Sequence, residues 1–127
     1  MSEKLPIRTY RDLIVWQKAM ALVTRVYTLT RPFPREETYT LTSQIRRAAI
    51  SIPSNIAEGF GRYSTPDYLR FLQIAAGSLF ELQTQLEIAR NLGYMEAAPF
   101  DELVNDAREI ERMLSSLIAK LKSRKQL

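Results

Sequence analysis

The sequence predicts an all-α fold, an antiparallel up-down-up-down four-helix bundle formed by a single domain over residues 1–127. Three observations carry this. The breakers Arg31-Pro32-Phe33-Pro34, Gly59-Phe60-Gly61, Gly93 and Pro99 divide the chain into four helix-forming segments. No segment alternates apolar and polar residues long enough for a strand. Each segment repeats its apolar residues at helical spacing. The helices are expected at about 12–30, 36–60, 66–92 and 99–122, with a short arm over 1–11 and a basic tail over 120–127.

The first segment has two neighbouring apolar stripes. Leu13, Trp16, Met20, Val23 and Tyr27 form one, and Val15, Ala19, Leu22, Val26 and Leu29 the other. Together they cover roughly 200°, about twice what one core uses. Surplus apolar surface on a small protein marks a partner surface, so Val15, Leu22 and Val26 are expected at an oligomer interface. A long first loop or the arm offers another cover for it.

The second segment pairs a core stripe, Leu41, Ile45, Ala48, Ile52 and Ile56, with a polar stripe through Gln44, Arg47, Ser51, Ser54, Asn55 and Glu58. Pro53 lies between them and frees the carbonyl four residues back, at Ala49. Both stripes keep phase across it, so a kink is expected there and not a stop. Ser51, Ser54 and Asn55 are candidates for satisfying the freed backbone, and Trp16 should lie in the core near Pro53.

Thr65-Pro66-Asp67 opens the third helix, with Thr65 as the expected cap. Its centre is Tyr68, Leu72, Ala75, Leu79, Leu82 and Leu86, flanked by Leu69, Phe71, Ala76 and Phe80. Phe71 and Phe80 join the expected oligomer interface. The fourth helix carries one compact stripe, Leu103, Ala107, Ile110, Leu114, Leu117, Ile118 and Leu121.

The chain contains neither Cys nor His. That removes disulfides, thiolate nucleophiles, His bases, Ser-His-Asp arrangements and His- or Cys-built metal sites. Gly59-Phe60-Gly61 lacks the Lys-Ser/Thr of a phosphate loop. The acid pairs Glu36-Glu37, Asp101-Glu102 and Glu109-x-Glu111 suit solvated first turns, and Glu58 suits a cation or amide across a helix interface. No enzyme activity, cofactor or metal is expected. Charges break every apolar run below the roughly 18 residues of a membrane span, and the first residues lack a secretory pattern, which implies a soluble cytoplasmic protein.

The net charge of +4 is unevenly placed: residues 1–35 hold seven cations against two acids, residues 96–119 two against six, and residues 120–127 four against none. In an up-down-up-down bundle the start of helix 1, end of helix 2, start of helix 3 and end of helix 4 share a pole. That pole gathers Lys4, Arg8, Arg11, Arg62, Arg70, Lys120, Lys122, Arg124 and Lys125 against Glu3, Asp12, Glu58 and Asp67. The other gathers Arg31, Arg35 and Arg90 against Glu36, Glu37, Glu87, Glu96, Asp101, Glu102 and Asp106. Candidate nucleic-acid contacts are therefore Arg8, Arg11, Arg62, Arg70, Lys120, Lys122 and Arg124, with Arg62 and Arg70 ordered and the 120–125 tail flexible.

The runs Asp12-Leu13-x-Val15-Trp16-Gln17-Lys18-Ala19, Gln44-Ile45-Arg46-Arg47-Ala48-Ala49-x-Ser51-Ile52-Pro53-Ser54-Asn55-Ile56-Ala57-Glu58-Gly59 and Ala76-Gly77-Ser78-Leu79-x-Glu81-Leu82-x-Thr84-Gln85-Leu86 resemble the four-helix-bundle proteins encoded within intervening sequences of bacterial large-subunit ribosomal RNA genes. The likeness covers roughly Tyr10 to Leu121. A related branch comprises accessory proteins of diversity-generating retroelements, basic homopentamers that bind nucleic acid and a reverse transcriptase. The resemblance implies a closed bundle, a ring of five, association with RNA, DNA or a ribonucleoprotein, and no catalytic residues. The leading reading is a non-enzymatic oligomeric module binding nucleic acid without sequence preference. A protein-interaction scaffold that never touches nucleic acid is the competing one.

Overall fold

The computed structural model describes residues 6–125, without the side chain of Lys125. It contains helices α1 (Ile14–Thr30), α2 (Leu41–Phe60), α3 (Thr65–Asn91) and α4 (Ala97–Lys125), with 3-10 turns at Tyr10–Asp12 and Arg35–Glu37. There is no strand among the described residues. Packing runs α1 on α2, α2 on α3, α3 on α4 and α4 back on α1, while the backbones of diagonal helices are not neighbours and their side chains share one core. Short connections between antiparallel neighbours enforce this closed ring of contacts.

Local chemistry sets the ends. Before α1, Thr9 and Asp12 form a capping box: Thr9 Oγ1 accepts from the Arg11 amide at 3.2 Å, and Asp12 Oδ2 accepts from the Arg8 and Thr9 amides at 2.9 and 3.0 Å. This closed turn ends at Leu13 in extended backbone, so α1 starts at Ile14 instead of residue 12. Residues 35–37 likewise form their own turn, with Glu37 accepting from Thr40 and from Tyr94 Oη, and α2 starts at Leu41, not 36. The cap of α3 is Ser64, one residue earlier than expected: its backbone is extended and its Oγ accepts from the Asp67 amide at 3.3 Å. Gly93 takes φ +79°, a left-handed geometry that closes α3. Pro99 lies inside the first turn of α4, where its missing N–H costs nothing. α4 continues to Lys125, so the expected flexible 120–125 segment is helical.

The core stripe of α4 is as expected, with Leu103, Ala107, Ile110, Leu114 and Leu121 buried and Leu117 and Ile118 half-buried. α2 buries Ile45, Ala48, Ile52 and Ile56, and α3 buries Leu72, Leu79, Leu82 and Leu86. Each fully buried Leu or Ile contributes about 1.5–3 kcal/mol relative to exposure.

For α1 the structure inverts the expectation. Val15, Leu22 and Val26 are 5%, 1% and 0% exposed, together with Ala19, and belong to this chain's own core. They are unavailable to a second subunit, and so is Phe71 at 8%. The stripe left mostly outside is the other one: Leu13 is buried, but Met20 is exposed, and Trp16, Val23 and Tyr27 are half-buried. Of the expected interface residues only Phe80, 56% exposed, faces outward.

α2 is continuous through Pro53. The polar stripe does not serve the Ala49 carbonyl as expected. Asn55 Nδ2 donates to the Ser51 carbonyl at 2.8 Å and to Ser51 Oγ at 2.9 Å, and Ser51 Oγ hydrogen bonds to Ser78 Oγ at 2.8 Å. The stripe therefore ties α2 to α3.

Candidate nucleic-acid interface

Topology brings the end of α2 and the start of α3 together at one pole, and a glycine sets how closely. A Cβ on Gly59 would fall 2.9 Å from Phe71 Cβ, 3.0 Å from Tyr68 Cδ1 and 3.3 Å from the Tyr68 carbonyl oxygen. Only glycine permits that approach. It carries the Phe71 ring under the turn, where the Arg62 guanidinium lies 4.6 Å and the Arg70 guanidinium 5.0 Å from the ring centre. Each such contact contributes about 0.5–1 kcal/mol at an exposed site and orients the cation more than it neutralises it. Phe60 meets Tyr68 edge-on at 6.3 Å behind this cluster, and burial pushes the Tyr68 phenol up from its ordinary pKa.

The ion pairs among the described residues are Lys18 with Glu109, and Arg25 with Glu102 and with Asp106. None involves Arg62 or Arg70. Glu58, expected to find a partner across a helix interface, is exposed and makes no described side-chain bond. Arg11 is exposed and lies 5.5 and 5.6 Å from the rings of Tyr10 and Trp16. Arg8 is exposed, as are Lys120, Lys122 and Arg124 on the last turns of α4. Glu3, Lys4 and the side chain of Lys125 fall outside the described residues.

The opposite end is less negative than its sequence count. Arg25, which the sequence reasoning left out, projects from α1 onto α4 and binds both Glu102, at 2.7 Å, and Asp106. The Glu37 carboxyl is held below the usual range by the Thr40 hydroxyl and then by Tyr94, whose own phenol is pushed up chiefly by that bond. Glu37, Glu102 and Asp106 of this end thus have internal partners, whereas the arginines of the α2–α3 corner have an aromatic ring.

Two apolar surfaces accompany these poles. A groove of about 350 Å³ between α1 and α2 is lined by Tyr10, Trp16, Met20, Val23, Ile50 and Pro53. Trp16 lines the same groove as Pro53, half-buried at the edge of the core and edge-on to Tyr10 at 5.1 Å, and not, as expected, inside the core. On α3, Ile74, Phe80 and Ile88 are exposed around Gly77, whose hypothetical Cβ would meet nothing within 4 Å.

Tyr63, fully exposed beside Arg62, is a further residue of this corner that the sequence motifs do not mark. The available signal was an aromatic next to an arginine in a turn too short to bury it.

The fold defines the class: an all-α protein of four helices packed as a bundle, here with two arginines set over one aromatic ring at a corner. Within it, the chain belongs to the 23S rRNA-intervening sequence protein family, whose model matches residues 11–116. It is similar to a crystallised protein of unknown function of the S23 ribosomal protein family from Bacteroides thetaiotaomicron. The TM-score is 0.77 at 27% identity, covering 83% of this chain and 98% of that one. None of the curated proteins matches. No helix among the described residues is long and apolar enough to cross a membrane.

Proposed function

We propose that the chain is a non-enzymatic, self-associating module that binds nucleic acid through phosphate contacts at its basic pole. The observation that carries this is the pair Arg62 and Arg70, oriented by one ring and bound by no carboxylate among the described residues. Such cations suit phosphate oxygens, which do not depend on base sequence. The family's name, tied to an intervening sequence of 23S rRNA, supports RNA as the natural ligand. A cytoplasmic ribonucleoprotein or a reverse-transcribing enzyme as the associated partner rests on the motif resemblance alone.

Assembly is assigned to surfaces this chain leaves uncovered: the outer stripe of α1 around Met20 and the face of α3 around Gly77 and Phe80. The motif resemblance supports a ring of five as that assembly. With like poles aligned, five copies sum their fields and attract phosphate more than +4 per chain suggests.

The test is binding to mixed RNA across a salt series. Affinity should fall steeply with salt, and Arg62→Glu with Arg70→Glu should abolish it, while Arg31→Glu with Arg35→Glu should do little. Equal losses from the two pairs, or no wild-type binding at low salt, would favour a protein scaffold working through the exposed residues Ile74, Phe80 and Ile88.

A further inference from the structure

Among the large hydrophobic side chains of the described residues, Tyr63 and Tyr39 are the most exposed, at 108% and 92%. An aromatic ring carries 150–250 Å² of surface that usually repays burial, so a ring packed against nothing calls for an explanation. The two tyrosines differ in their neighbours. Tyr39 follows the Glu36-Glu37 turn, whose carboxylates repel phosphate. Tyr63 stands between two anchored residues. Arg62 on one side is stacked on Phe71 and its amide donates to the Gly59 carbonyl at 3.0 Å, and Ser64 on the other caps α3. The backbone is held on both sides and the ring is left free.

Resting on the nucleic-acid reading above, we propose that this corner binds single-stranded nucleic acid, with an unpaired base stacked on Tyr63 and flanking phosphates on Arg62 and Arg70. The two guanidiniums share one ring at 4.6 and 5.0 Å, so they sit close enough to hold neighbouring phosphates of one strand. Every base has a π-face, so an aromatic platform with adjacent cations binds single strands without reading their sequence. A duplex keeps its bases stacked on one another and offers Tyr63 none. The short turn over Gly61–Ser64 also presents neither a helix nor a β-ribbon to enter a groove.

The experiment compares labelled oligouridine with an RNA duplex of equal length, by fluorescence anisotropy at low salt. Tyr63→Ala should weaken oligouridine binding about tenfold or more and leave the duplex within about twofold. Tyr63→Trp should retain single-strand affinity, and Tyr39→Ala should change neither. Circular dichroism should be unaltered, because Tyr63 packs against nothing. Unchanged oligouridine binding by Tyr63→Ala, with salt-sensitive wild-type binding intact, would overturn the stacking site and leave the phosphate reading standing. Equal loss on duplex and single strand would overturn the strand preference. A wild type that binds neither probe would overturn both proposals.

Discussion

Glycine to alanine is a single chemical change, yet at two positions of this bundle it should act with opposite sign. At Gly77, on the exposed face of α3, an added Cβ meets nothing within 4 Å. Within the chain, the substitution therefore gives the helix-propensity gain alone, about 0.8–1.0 kcal/mol. With an unfolding entropy of about 2.1 cal/mol/K per residue, a chain of this length should melt roughly 3–4 °C higher. At Gly59 the same gain is opposed by contacts of 2.9 and 3.0 Å to Phe71 Cβ and Tyr68 Cδ1 and 3.3 Å to the Tyr68 carbonyl oxygen. Neither Phe71 Cβ nor the carbonyl is the yielding tip of a side chain, so α2 and α3 must move apart. Overpacking of this kind costs about 1–3 kcal/mol, and the net effect is a loss of up to about 2 kcal/mol. Thermal melts followed by circular dichroism, at two protein concentrations, read both variants and separate chain stability from assembly. Gly77→Ala melting lower than wild type at both concentrations, or Gly59→Ala melting higher, would refute the reasoning.

Leu22→Asp should unfold the chain instead of releasing a folded subunit, because an unpaired carboxylate would sit at a position 1% exposed. Phe80→Asp should keep its helical signal, and light scattering should show a lower mass. Stability should fall on acidification: Asp12, bonded by the Thr9 and Arg8 amides, Glu37 by Thr40 and Tyr94, and Glu109 by Lys18 all have depressed pKa values. A depressed carboxyl contributes fully above its unfolded value and loses that contribution as pH falls through the folded one, so the decline lies below about pH 4. Asp12→Asn should flatten this limb in urea titrations against pH.

The helices were legible because glycine and proline fall between periodic segments and because α4 has one unambiguous stripe. The facing of α1 was not. Its two stripes have similar transfer energy, and hydrophobicity does not rank Val15, Ala19, Leu22 and Val26 against Trp16, Met20, Val23 and Tyr27. Small and branched side chains let α1 approach α2 and α4 closely, whereas the large ring of Trp16 packs edge-on at the rim. Arg62 and Arg70 could be brought together from topology alone, since both flank one turn. Their common ring could not, because Phe71 reads as one more apolar flank until Gly59 is seen to set the interhelical distance.

The Ser51–Ser78 bond, with Asn55 closing on Ser51, turns the α2–α3 contact into an indexed joint. Apolar side chains tolerate sliding, because one leucine surface resembles the next. A hydroxyl pair does not: displacement by one helical turn, about 5.4 Å, would part the two oxygens, and each buried polar group left unpaired costs about 1–3 kcal/mol. Arg62 lies just beyond the end of α2 and Arg70 near the start of α3, so while Gly59 sets the distance between the helices, this pin, roughly 16 Å along α2 from Arg62, indexes their relative height along the helix axes. The alignment of the basic corner is thus decided in the middle of the bundle, by residues that no ligand at the corner could reach.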